Sequence, residues 1–93
     1  MAVFTLVAEY QGKLFTCQVI GSSAEDVVSL FLSSVYPNAR QTGLGPQAPE
    51  LTDADVIYIT PMTDLVNVWT VSIGKSGKYV SVVCVLTASQ AGA

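Results

Sequence analysis

Apolar and polar residues alternate with a period of two through most of this chain and with a period near 3.6 in one stretch. Residues 3–10 place Phe4, Leu6, Ala8 and Tyr10 on one side and Val3, Thr5, Val7 and Glu9 on the other, the signature of a strand. After Gln11-Gly12 the alternation resumes, with Phe15, Cys17 and Val19 set against Leu14, Thr16, Gln18 and Ile20. A two-residue loop pairs Phe4 with Val19, Leu6 with Cys17 and Ala8 with Phe15, so the two apolar faces coincide. A slip of one residue would put Thr16 and Gln18 among them instead.

The stretch Ser22–Pro37 (SSAEDVVSLFLSSVYP) changes period. At about 100° per residue, Ala24, Val27, Val28, Phe31, Leu32 and Val35 fall on one arc of roughly 140°, which predicts an amphipathic helix. Ser22 with Glu25 fits a capping box, and Glu25 and Asp26 lie near the positive end of the helix dipole. Pro37 predicts its end, because the residue before a proline is pushed away from helical angles. Three valines and five serines make this a mediocre helix by propensity, so its stability must come from packing on a sheet.

Residues 38–55 hold two glycines, two prolines and no periodicity, and predict one long loop. Loops of that length in a compact domain tend to be functional or disordered, and a solvated crossover from the helix end to the sheet is as consistent with the composition as a binding loop. Val56–Thr60 reads as a short strand closed by Pro61, at an edge or a corner. Val66–Ile73 then carries Trp69, Val71 and Ile73 on one side, and Tyr79–Leu86 carries Val80, Val82, Cys84 and Leu86 on the matching side. A Ser76-Gly77 loop pairs Ile73 with Val80, Val71 with Val82 and Trp69 with Cys84. The tail 87–93 (TASQAGA) is small and polar and is expected to fray.

These elements predict a single α+β domain over residues 1–93, of order β-β-α-β-β-β. It is a mainly antiparallel sheet with one helix packed on one face. The other strand faces are apolar where a wetted sheet would be polar. Val3, Val7, Leu14 and Ile20 in the first hairpin, with Val68, Tyr79, Val83 and Val85 in the second, point away from the helix. One helix covers one face, so the second face needs another copy of the chain, a different partner, or closure of the sheet into a barrel. Self-association through these eight residues is the expectation. Tyr58 and Tyr79 are the aromatic candidates for exposure, and Trp69 falls in phase with the core.

Composition sharpens this picture. The 93 residues are 51% hydrophobic and 12% charged, with a net charge of −3, which leaves little charge to clothe a monomer. The four basic residues, Lys13, Arg40, Lys75 and Lys78, are too few and too scattered for a phosphate-tracking surface, so no nucleic-acid partner is expected. Histidine is absent, which removes the usual general base and the commonest metal ligand. A non-catalytic protein without cofactor or metal is the reading. The first residues lack the positive charge of a secretion signal, and no apolar run approaches membrane-spanning length. A cytoplasmic protein, or one held inside an assembled particle, is therefore expected, with no membrane partner.

Other motifs carry little chemistry. Gly74-Lys75-Ser76 ends like a phosphate-binding loop, but Trp69 stands where the first glycine is needed and the segment joins two strands. Glu50, Asp53, Asp55 and Asp64 form the one acidic cluster, without the ligand spacing of a calcium loop. Cys17 and Cys84 both fall on core faces, where free cysteines act as small hydrophobes. The long loop could meet a second protein through Arg40, Leu44, Glu50, Asp53 and Asp55.

The hairpin-then-helix order resembles several small α+β modules, antitoxin-like and ribosomal ones among them, and such an order carries no function by itself. Two functional expectations follow. One is a small oligomeric structural or adaptor protein, concretely a virion or particle component. The other is a monomeric binding module or inhibitor that presents an acidic loop to a basic partner.

Overall fold

A computed structural model describes residues 1–52 and 54–89, with the side chains of Val56, Ile57 and Ser89 left aside. Five antiparallel strands form one sheet: β1 (Ala2–Tyr10), β2 (Lys13–Gly21), β3 (Val56–Pro61), β4 (Val68–Lys75) and β5 (Lys78–Ser89). Their spatial order is β2-β1-β5-β4-β3. The chain therefore builds a hairpin, crosses the sheet through its helix, and returns to fill the other half. β5 closes the sheet by pairing with both β4 and β1.

Both hairpins have the register that the hydrophobic pattern demands. Phe4 faces Val19, Leu6 faces Cys17 and Ala8 faces Phe15; Trp69 faces Cys84, Val71 faces Val82 and Ile73 faces Val80. In each two-residue loop both positions have positive φ, Gln11 at 50° with Gly12 at 81° and Ser76 at 55° with Gly77 at 79°. That is the type I′ geometry whose twist matches the flanking strands. Glycine takes the second position at no steric cost, and the polar residue before it tolerates the left-handed region.

The helix differs from the sequence expectation in both length and cap. It runs as α1 (Ala24–Leu30), a π-helical turn (Phe31–Val35) and α2 (Tyr36–Thr42), one helix of 19 residues. Pro37 does not end it. The Tyr36 N–H reaches back to the Phe31 carbonyl, and this wider turn lets the proline sit at the start of α2, where its missing N–H is not needed. The N-cap is Ser23, whose hydroxyl accepts from the Asp26 N–H at 3.1 Å. Asp26 in turn accepts from the N–H of Ser22, the residue before the cap, at 2.9 Å, so the cap lies one residue later than Ser22 and Glu25 suggested.

The longer helix shortens the long loop. Residues 38–42 are helical, and Gly43 and Leu44 both donate to the Ala39 carbonyl, at 2.9 and 2.8 Å, to close the helix end. Only residues 43–55 connect the helix to β3. The C-terminal segment differs too: β5 runs through Thr87 and Ala88 to Ser89, in register with Ala2 and Val3 of β1. A register shift between Val3 and Phe4 accommodates this extension. Backbone pairing, with no side-chain burial to announce it, carries the strand past the apolar run. Residues 90–93 lie outside the described residues.

The core lies between the sheet and the helix. Leu6, Ala8, Ile73, Val80 and Cys84 from the sheet meet Val27, Val28, Phe31, Leu32 and Tyr36 from the helix, all buried. Leu44, Ala48 and Leu51 fill the same layer, so the loop is a third wall of the core and not a solvated crossover. Trp69 packs at the margin, its ring centroid 5.9 Å from that of Phe4.

Candidate functional surface

The eight residues expected to face away from the helix all lie on one surface. Their cross-strand partners fix this: Val3 is opposite Ile20, Val7 opposite Val83, Val68 opposite Val85, Leu14 opposite Glu9 and Tyr79 opposite Gly74. The described residues put no second layer on this face. Leu14 is 61% exposed, Ile20 50%, Tyr79 58% and Val83 40%, while Val3, Val7, Val68 and Val85 are half-buried by their neighbours on the same face. Among the described residues β2 and β3 remain the two open edges, so the sheet does not close into a barrel.

Sequence reasoning overstated how apolar this face is. Thr5, Thr16, Thr70, Ser72 and Ser81 stand among the valines in register, and Gln18 donates to the Thr5 hydroxyl at 3.2 Å. A shallow open groove runs between Tyr58, Thr60, Thr70, Ser72, Ser81 and Val83. Electrical neutrality is the distinguishing property. By strand parity Glu9 is the one acidic or basic residue that the described strands place here, and its carboxylate accepts the Gly12 N–H at 2.8 Å. Lys13, Lys75 and Lys78 have the opposite parity, on the helix side. Tyr79 lies over Gly74, where any added Cβ would run into its ring; an aromatic covering a cross-strand glycine restores the packing that the glycine lacks.

The loop residues behave differently from the expectation of a partner-binding loop. Leu44 is 1% exposed and belongs to the core, because the helix end turns its side chain inward. Arg40 ties the loop to itself: Nε donates to the Ala48 carbonyl at 2.8 Å, Nη2 to the Pro46 carbonyl at 3.2 Å, and Nη1 lies 3.5 Å from the Glu50 carboxylate. Asp55 accepts the Thr52 N–H at 2.6 Å, closing a turn. Asp53 lies outside the described residues. The sequence singled out Arg40 as a contact, whereas its partners are the carbonyls of its own loop.

Tyr36 is the residue that sequence reasoning passed over. Its ring is buried and its hydroxyl donates to the Pro49 carbonyl at 2.6 Å. Burial pushes its pKa up to about 12, with the Arg40 charge opposing and Tyr10 adding to the rise. Its helical phase next to Val35 and Leu32 was the available signal, hidden by the expectation that Pro37 ends the helix.

Cys17 and Cys84 flank Leu6 from β2 and β5 on the core side. Two strand spacings, about 10 Å, separate them, beyond the roughly 7 Å that a disulfide spans. Both are free thiols. Burial raises both pKa values, Cys84 to about 11 with a further push from Cys17. Neither has the positive surroundings that make a thiol reactive.

Another apolar feature lies at the sheet end, where the β3–β4 connection exposes Leu65 (54%) and Val66 (85%). Val66 was expected to begin a strand; instead Asp64 and Asn67, at φ of 66° and 63°, turn the backbone there and β4 starts at Val68. Among the described residues no helix is long and apolar enough to cross a membrane. Comparison with family models, curated proteins and solved structures returns no match.

Proposed function

We propose that this protein is a non-catalytic structural or adaptor protein that works as a homo-oligomer, and that its open sheet face is the surface by which copies associate. The observation that carries this reading is the uncovered, nearly charge-free face holding Leu14, Ile20, Tyr79 and Val83. Faces of that kind in small proteins are interaction surfaces. Five strands about 4.8 Å apart and eight residues about 3.3 Å apart give a face on the order of 600 Å², close to the roughly 800 Å² per partner of a standard interface. A like-charged copy meets little repulsion there, since Glu9 is the one charged residue that the described strands place on this face. A small component of a larger particle is the concrete form of this role.

Sedimentation velocity across a concentration series tests it. The expected result is an oligomer at micromolar concentration that Val83→Lys dissociates without altering the far-UV circular dichroism. A wild-type chain that stays monomeric to about 100 μM, far above the range of stable assemblies, would overturn the reading.

A further inference from the structure

The two open edges of the sheet are not alike. β3 has six residues and ends in Pro61, a residue that cannot donate to a ladder. β2 has nine, with no proline, no acidic or basic residue from Leu14 through Ile20, and an unbroken register against β1. Beyond Lys13 at its start, it lacks the charges, prolines and bulges that normally blunt an exposed edge.

Its free backbone groups can be assigned. In a two-residue hairpin the residues flanking the loop, here Tyr10 and Lys13, form a hydrogen-bonded pair, and the alternation gives the same status to Ala8 with Phe15, Leu6 with Cys17 and Phe4 with Val19. The N–H and C=O groups of Leu14, Thr16, Gln18 and Ile20 therefore point away from β1, toward the open edge. A second antiparallel strand would bond to those of Thr16, Gln18 and Ile20, while the Leu14 carbonyl lies beside the helix end at Gly43.

We propose that β2 pairs antiparallel with β2 of a second copy about a twofold axis at Cys17, joining two sheets into one of ten strands. This rests on the self-association reading for its partner, and on the edge, not the face, for its surface. The register follows from side-chain matching. Centred on Cys17, Leu14 faces Ile20 of the other copy on the open face, Phe15 faces Val19 on the helix side, and Thr16 faces Gln18. Centred on Thr16 or on Gln18, Leu14 would face Gln18 or Ser22, and Ile20 would face Gly12 or Thr16. Only the Cys17 register matches apolar with apolar on both sides of the sheet, which is what fixes register.

Charge agrees with the same register. It brings Lys13 opposite Gly21 of the other copy, and Gly21 lies beside Asp26, whose carboxylate oxygen would be 2.7 Å from a Cβ placed at Gly21. Lys13 and Asp26 are both on the helix side of the sheet, so the twofold axis creates two equivalent opposite-charge approaches. At the axis the two Cys17 residues form a non-hydrogen-bonded pair, with Cα atoms about 4.5 Å apart, within the span of a disulfide.

Oxidation of the full-length protein with copper phenanthroline tests this. Each Cys17 thiol gives up its proton to the solvent and one electron to a Cu(II), which becomes Cu(I), as the S–S bond forms. The reaction is run in alkaline solution, because burial raises the thiol's pKa. The expected product is a covalent dimer of the 9.8 kDa chain that survives Cys84→Ala, disappears in Cys17→Ala, and reverses with reductant. Lys13→Glu, at an exposed position, is expected to weaken the dimer about tenfold or more by replacing attraction with repulsion. Thr16→Pro, which removes an outward N–H that the monomer does not use, is expected to abolish it with the circular dichroism of the fold retained. A dimer in sedimentation that forms no Cys17–Cys17 bond and ignores Thr16→Pro would overturn the edge pairing and leave the sheet-face reading standing. A monomer at every concentration would overturn both.

Discussion

The two faces of this sheet come from the same five strands and differ in almost every other respect. Leu6 is fully buried between Cys17 and Cys84, with the helix above it. Val7, one residue later, lies between Thr16 and Val83 on the open side and stays half-exposed. A period-two strand separates its neighbours onto these two surfaces, and only one of them receives the helix and the Leu44–Leu51 segment. Alternation thus tells which residues share a face. The number of layers available decides which face becomes a core.

The largest expected difference between the two faces lies at that pair. Leu6→Ala is expected to cost about 3–4 kcal/mol in urea unfolding, because it removes a buried side chain and leaves a cavity beneath the helix. Val7→Ala, measured on dilute monomer, should cost no more than about 1 kcal/mol, since water already reaches that side. Equal costs would mean that the second face is buried in the state being measured.

Overpacking the covered layer comes next. A Cβ at Gly43 would lie 2.9 Å from the Phe15 ring and 3.0 Å from the Leu14 carbonyl oxygen, so Gly43→Ala is expected to lose about 1–3 kcal/mol, from forced displacement of the helix end. No loss in chemical denaturation would show that the helix end is not held against β2.

Tyr36→Phe should cost about 1–2 kcal/mol by leaving the Pro49 carbonyl without its donor. The pH dependence has a definite sign. The folded pKa of Tyr36, about 12, lies above its ordinary value of 10, so between those values the unfolded chain holds fewer protons and stability falls as pH rises. That alkaline loss is expected in urea titrations of the wild type and should be smaller in Tyr36→Phe.

The smallest effect belongs to the open face. Tyr79→Ala uncovers Gly74 and is expected to cost about 0.5–1 kcal/mol, the range of one cross-strand aromatic contact. Thermal unfolding at low concentration is the check. A larger, concentration-dependent effect would tie Tyr79 to the association surface as well.

The alternation of Phe4 to Tyr10 against Phe15 to Val19, and of Trp69 to Ile73 against Val80 to Cys84, determined the two hairpins, their registers and the class of fold, because a side-chain period of two leaves one pairing that hides the apolar set. It also determined which eight residues share the open face. Tertiary structure alone decided how β5 joins the hairpins, since no local pattern encodes which edges meet. It also carried the helix through Pro37, where a widened turn relieves the clash that a local rule takes as a stop. The fates of Leu44, Arg40 and Tyr36 were settled in the same way. Burial against the sheet and hydrogen bonds from the helix end to the loop that follows it turned a stretch that reads as an exposed loop into part of the core.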